Sequence, residues 1–186
     1  MDDDLAKIVE RCGAPQLLSR PEGFASLVYI IFEQQVSLAS AKATFHKVAL
    51  LMPVFAEQPY LALSDQALKG AGVSRQKIRY TRLLAQAIVD GNLPLETLGR
   101  KSDAQVRKLL TAIPGIGNWT ADVYLMLALR RADLWPIGDL ALVKSLAIVK
   151  GLGAKPEISC LQALGERYRP YRSVATGIFW QHYLFA

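Results

Sequence analysis

Apolar residues recur at helical spacing along almost the whole chain, and no stretch carries the alternation and tight turn of a β-hairpin. Residues 2–12 read as a short helix with Leu5, Ile8 and Val9 on one side and acidic residues at the end where the macrodipole favours them. The run from Phe24 to Phe32 is nearly all apolar, so pattern alone leaves helix and strand open. It is taken as a buried helix because nothing else in the chain offers it a partner strand. Ser37 is a candidate N-cap for a helix reaching about Met52, where Pro53 ends it. One short helix is expected over 59–69, followed by a glycine-rich turn. A longer helix over 74–90 is capped by Ser74 and striped by Ile78, Leu84, Ala85, Ile88 and Val89. Helical runs at 103–110 and 119–131 are joined by Ile113-Pro114-Gly115-Ile116-Gly117. A helix over 140–150, closed by Gly151 and Gly153, and two more over 156–167 and 169–185 complete an all-α chain.

Composition narrows the class without changing that picture. At 186 residues, 52% hydrophobic and 20% charged, the chain is long enough for a real core and too apolar for general disorder. No apolar run approaches the roughly 20 residues that span a bilayer. The opening M-D-D-D-L has neither the basic nor the apolar region of a secretory leader, so a cytoplasmic protein is expected. Cys12 and Cys160 show no metal spacing, and His46 and His182 have no ligand companions nearby in sequence. No phosphate-binding glycine motif for a nucleotide cofactor occurs. The net charge is +6, and the span 74–131 alone holds ten Lys/Arg against four Asp/Glu, a surplus of the same size. Such a concentration suits a polyanionic partner, although lysines and arginines also simply solvate helix faces.

The charge surrounds the hairpin. Gly115 and Gly117 supply the positive φ and the missing Cβ that a tight turn needs. The second helix then begins with several unpaired N–H groups, a ready cradle for a phosphate. From these residues alone an ordinary pair of antiparallel helices fits equally well. The company changes the reading: I-P-G-I-G-N-W-T-A at 113–121 is followed by P-I-G-D-L-A-L at 136–142. Together they resemble the helix-hairpin-helix, Gly/Pro…Asp signature of the DNA glycosylase superfamily, and more narrowly its 3-methyladenine DNA glycosylase II branch. Q-Q-V-S-L-A-S-A-K at 34–42 and R-P-Y-R-S at 169–173, with Trp180 beyond, extend the likeness over roughly residues 20–186.

That resemblance implies a single domain over 1–186 with two helical lobes flanking a DNA- and base-binding cleft, the hairpin at 103–131, and no N-terminal β domain. It implies Asp139 as the catalytic carboxylate, where the residues alone suggest an N-cap. Trp119 and Trp180 would stack on a flipped, electron-poor base, with Gln34, Gln35, Val123 and Tyr124 bordering the pocket; Val123 stands where relatives often carry a tyrosine. Gly115, Ile116, Gly117, Asn118, Thr120, Arg75, Lys77, Arg172 and Ser173 would hold the DNA backbone. Ala71 falls where relatives carry the wedge that fills the vacated gap, with Val73 nearby; alanine is small for that work, which leaves Val73 or a residue elsewhere to do it. The carbonyls of Thr111, Ile113 and Ile116 would bind a monovalent cation, Na+ or K+. The four C-terminal cysteines of an iron–sulfur cluster are absent, so no cluster and no required cofactor is expected.

The chemistry is coherent. An alkylated purine leaves readily, and a fixed carboxylate can support the positive charge that develops on the deoxyribose. Where lyase-competent relatives carry a lysine, this chain has G-N-W-T-A, which implies a monofunctional enzyme leaving an abasic site. The expected partner is damaged duplex DNA, the expected state a monomer. Two other readings stay open: a glycosylase for deaminated or oxidised bases, and a non-catalytic DNA-binding module.

Overall fold

The computed structural model describes residues 2–15, 19–153 and 156–185. Among the described residues it has eleven α-helices, one short 3-10 segment (Leu95–Arg100) and no strand. The chain divides into two compact units. One runs from Arg20 to Tyr124; the other combines Met1–Ser19 with Leu125–Ala186.

The central unit is built on α2 (Phe24–Glu33), whose apolar run proves helical and buries seven of its ten residues. Against it pack α3 (Leu38–Ala49) and α6 (Arg75–Val89), while α4 (Glu57–Ala62) and α5 (Asp65–Gly70) pack on α6. Local capping chemistry sets several starts: Ser37 accepts from the Ser40 amide, and Ser74 from the Lys77 amide. The single helix expected over 59–69 is two. Leu63 is extended, and Ser64 starts α5 afresh by accepting from the Ala67 amide. Val89 lies exposed, and Thr81 takes a buried place on α6, hydrogen-bonded to the Tyr60 hydroxyl at 2.6 Å. Next come α7 (Asp103–Thr111), opened by a Ser102/Gln105 capping box, and α8 (Asn118–Leu127), which stops short of the expected residue 131. The division between units falls after Tyr124, within α8.

The second unit holds α1 (Asp3–Cys12), α9 (Leu140–Val149), α10 (Ile158–Glu166) and α11 (Arg172–Phe185). Leu142, Leu146, Leu161 and Phe179 form its core with Ile8, and Trp135 packs against them. Gly165 makes room for that indole: a Cβ there would come within 2.5 Å of Trp135. The Lys150 ammonium donates to Asp2 and Asp4, tying α1 to the end of α9. Burial pushes the Asp2 carboxyl upward, but the Leu5 amide and Lys150 outweigh it, and its pKa falls below the ordinary value.

His182 sits buried beside the Ser145 hydroxyl at 2.9 Å, and burial, then the Arg11 charge, depress its pKa. The unfolded chain therefore binds the proton more readily than the folded one. Stability from this site is complete above the unfolded pKa of about 6.5 and is lost as pH falls below it. A thermal midpoint measured at pH 7.5 and 5.5 should drop at the lower pH, and by less in His182→Gln. An equal drop in both would remove His182 from the explanation.

Candidate active site

The hairpin has the geometry its sequence promises at one glycine and not at the other. Gly115 has φ +92, and a Cβ there would stand 2.1 Å from Cγ of Tyr80, so the α6 aromatic ring packs directly beneath the turn. Gly117 has no positive φ, and a Cβ on it would point into open space. The expectation that both glycines answer the same need is corrected: Gly115 carries the turn, while Gly117 leaves the approach to the start of α8 clear. Across the turn Arg107 of α7 donates through Nε and Nη2 to Asp122 of α8, at 2.9 and 2.6 Å. That pair fixes one helix on the other and was not foreseen from the sequence. An arginine and an aspartate 15 positions apart, either side of a hairpin, were its available signal.

Several expected DNA contacts are occupied inside the central unit. The Ile116 amide donates to the Ile113 carbonyl at 3.1 Å and its side chain is buried, so neither serves a phosphate. The buried Thr120 hydroxyl accepts from Gln34 Nε2 at 3.0 Å, and the same nitrogen donates to the Gly115 carbonyl at 2.9 Å. Gln34 is therefore committed to the hairpin rather than to a base. Lys77 donates to the carbonyls of Phe32 and Gln34 at 2.8 and 2.9 Å, and burial lowers its pKa. Of the ten basic residues between 74 and 131, Arg82 is likewise held, by Asp65 and the carbonyls of Leu61 and Leu63. Arg75 remains exposed on the first turn of α6, as do Gly117 and Asn118 at the start of α8.

The residues expected at the base pocket and the wedge differ in their exposure. Val123 and Tyr124 are 3% and 0% exposed, and the Tyr124 hydroxyl accepts from the Gly23 amide at 3.0 Å; both are core residues. Ala71 and Val73, at 6% and 3%, pack inward. Gln35 behaves differently: it is exposed and held at φ +57, a strained conformation for a side chain with a Cβ. Trp119 is half-buried on the first turn of α8.

In the second unit Asp139 ends the W-P-I-G turn and opens α9. Its Oδ1 accepts from the Leu142 amide and from the Trp180 indole Nε1, each at 2.8 Å. The N-cap suggested by the residues is thus real, and the same oxygen also orients a tryptophan of α11 across 41 positions of chain. Asp139 is 7% exposed, so the carboxylate is largely shielded from water, where its field is strongest. A cavity of about 560 Å³ lies against Trp180, Met126, Leu127, Val174 and Leu184, with Arg130 beside it. Its size suits a small organic ligand.

Arg172 and Ser173, expected at the DNA backbone, are engaged within the second unit. The Arg172 guanidinium forks onto Asp133, at 2.7 and 3.0 Å, and holds that carboxyl below its ordinary pKa despite the opposing effect of burial. The Ser173 hydroxyl donates to the Arg131 carbonyl and accepts from the Leu134 amide. Both residues fasten the start of α11 to the 131–134 segment, which leads into the W-P-I-G turn.

No family model matches the chain. A DNA-3-methyladenine glycosidase from Bacillus halodurans is 33% identical to it, with a TM-score of 0.80 between the structures, covering 98% of this chain and 85% of that one. The 3-methyladenine DNA glycosylase Mag1 of Schizosaccharomyces pombe, solved with abasic DNA, is 24% identical with a TM-score of 0.89, covering 97% and 91%; that likeness concerns the fold. The alkylbase DNA glycosidase-like protein mag2 of the same yeast is 23% identical over 188 residues, 97% of this chain and 88% of its own length.

Proposed function

The chain belongs to the DNA-3-methyladenine glycosylase family, and from that premise we propose that it hydrolyses the N-glycosidic bond of alkylated purines in duplex DNA. The observation that carries the reading is the Asp139 carboxylate, buried and accepting from the Leu142 amide and from the indole of Trp180. A flipped purine with a positive charge from alkylation stacks on Trp180, where cation–π attraction favours it over a neutral base. The bond from C1′ to the base nitrogen breaks with its electron pair leaving on the base, which neutralises the base. Positive charge gathers on the sugar, and Asp139 stabilises it without reorganising at the moment of reaction. Water adds at C1′ and gives up a proton, and an abasic site remains.

G-N-W-T-A at 117–121 offers no lysine for attack at C1′, so the enzyme is monofunctional. DNA is gripped by the exposed amides that open α8 and by Arg75. The carbonyls of Thr111, at the end of α7, Ile113 and Ile116 are neutral oxygen donors of the kind that suits Na+ or K+, which would add positive charge beside a phosphate. Exchanging Na+ and K+ for a bulky organic cation at constant ionic strength should weaken duplex binding; equal affinity in both would remove the ion. We take the protein to act as a monomer. Among the described residues no helix is long and apolar enough to cross a membrane.

The test is incubation with duplex DNA carrying 3-methyladenine or 7-methylguanine, with free base and strand breaks quantified before and after alkali. Free base with breaks only after alkali is the expected result. Breaks before alkali would show a lyase step, and binding without base release would leave a DNA-binding module.

A further inference from the structure

The basic cluster at the start of α6 invites a phosphate-binding reading for every member, yet Lys77 faces the protein. Its ammonium meets the carbonyl of Phe32, in the last turn of α2, and that of Gln34, the residue that caps it. Carbonyls at a helix C-terminus lack intrahelical donors, and a lysine there answers both the missing bonds and the negative end of the dipole. Two of its three N–H groups are given to these oxygens, which holds the ammonium against the end of α2. Gln34, with its carbonyl held in this way, extends its side-chain nitrogen to the Gly115 carbonyl and the Thr120 hydroxyl. One bond therefore falls on the turn and one on the first helical turn after it. One turn beyond Lys77 on α6, the Tyr80 ring lies under Gly115, its hydroxyl accepting from Gln76 at 2.7 Å. The corner of the chain at 34–36 is thus pinned from one side, and the hairpin from two.

We propose that Lys77 and Gln34 are positioning residues of the hairpin, Lys77 fixing the end of α2 so that the Gln34 amide sets the orientation of the N–H groups that open α8. The proposal rests on the reading of that hairpin as the DNA grip. It assigns Lys77 no phosphate of its own, which separates it from Arg75. It also explains the backbone of Gln35: with the Gln34 carbonyl clamped on one side, the chain turns outward through a left-handed conformation.

The experiment compares wild type, Lys77→Met, Gln34→Met, the double variant and Arg75→Gln. Duplex affinity is measured across a salt series, and hairpin amide hydrogen exchange is followed in the free protein. Each single variant is expected to weaken binding by about tenfold, the worth of a buried charged or bridging hydrogen bond, at temperatures well below its unfolding. The slope of log affinity against log salt should not change in Lys77→Met, whereas losing a phosphate contact lowers it by about 0.9, as expected for Arg75→Gln. The double variant should be no worse than the weaker single, because one pathway is broken twice. Amides at 116–120 should exchange faster in both single variants.

A slope reduced by about 0.9 in Lys77→Met would make it a phosphate ligand and overturn the proposal. Additive losses in the double variant, or unchanged exchange at the hairpin, would overturn it too. If Lys77→Met does not fold, Gln34→Met leaves the lysine clamp intact and tests the second link alone. Wild type that binds no duplex would defeat the glycosylase reading, while the exchange data would still decide whether the two residues hold the hairpin.

Discussion

Asp139→Asn is expected to abolish base excision while leaving the fold and duplex binding intact. The substitution keeps two hydrogen bonds in place, because Oδ1 accepts from the Leu142 amide and from the Trp180 indole. An asparagine oxygen can accept the same two, and asparagine caps a helix about as well as aspartate. What disappears is the negative charge. Removing one preorganised electrostatic group from an active site typically lowers the rate by about 10²–10³-fold, and a sole carboxylate should stand at or beyond the upper end. Single-turnover release of 3-methyladenine, beside a thermal melt and a binding isotherm, separates the effects. Retained turnover would remove Asp139 from the chemistry and return it to the role of a cap. Asp139→Ala is the informative companion: it loses the cap as well and should cost roughly 1 kcal/mol of stability.

Gly115→Ala is expected to be the most damaging substitution in the hairpin. The φ of +92 is strained for alanine, and the new Cβ would sit 2.1–2.6 Å from three atoms of the Tyr80 ring. The obstacle is a ring rather than the tip of a flexible chain, so turn or α6 must shift. Backbone strain and overpacking together amount to about 2–4 kcal/mol. For a chain of this length that lowers the thermal midpoint by roughly 5–15 °C. Duplex affinity should fall with it, since the amides that open α8 follow directly. Gly117→Ala is the control. Its Cβ meets open space, so its stability should stay within about 0.5 kcal/mol of wild type, and any loss in DNA binding reports close approach of the ligand. A Gly115→Ala variant as stable as wild type would show that the ring does not pack beneath the turn.

Much of the fold was legible because it is local. Ser37, Ser74 and Asp139 cap helices through amides three positions away, a choice made by residue type and neighbours. The apolar run at 24–32 had to be buried, and without a partner strand it had to be helical. One local signal was passed over: Ser64, a good N-cap, splits the 57–70 region in two. The hairpin and the aspartate that follows it were legible for another reason. They are a pattern of residue types in order, and the family likeness rests on that pattern.

The roles of individual polar side chains were decided elsewhere. Lys77 and Arg172 looked like free cations, but their partners lie 43–45 and 39 positions away in sequence. Gln34 reaches 81 and 86 positions to the hairpin. Ala71, Val73, Val123 and Tyr124 sit at family positions yet face the core, which helix rotation and packing determine and residue type does not. The sequence by itself determined an all-helical chain, the hairpin, the capping aspartate and the excess of positive charge around them, because spacing and short-range hydrogen bonding specify these. Only the tertiary structure decided which cations still face outward, which amide braces the turn and which tryptophan holds Asp139, because a buried polar group must find its partner wherever the folded chain brings one.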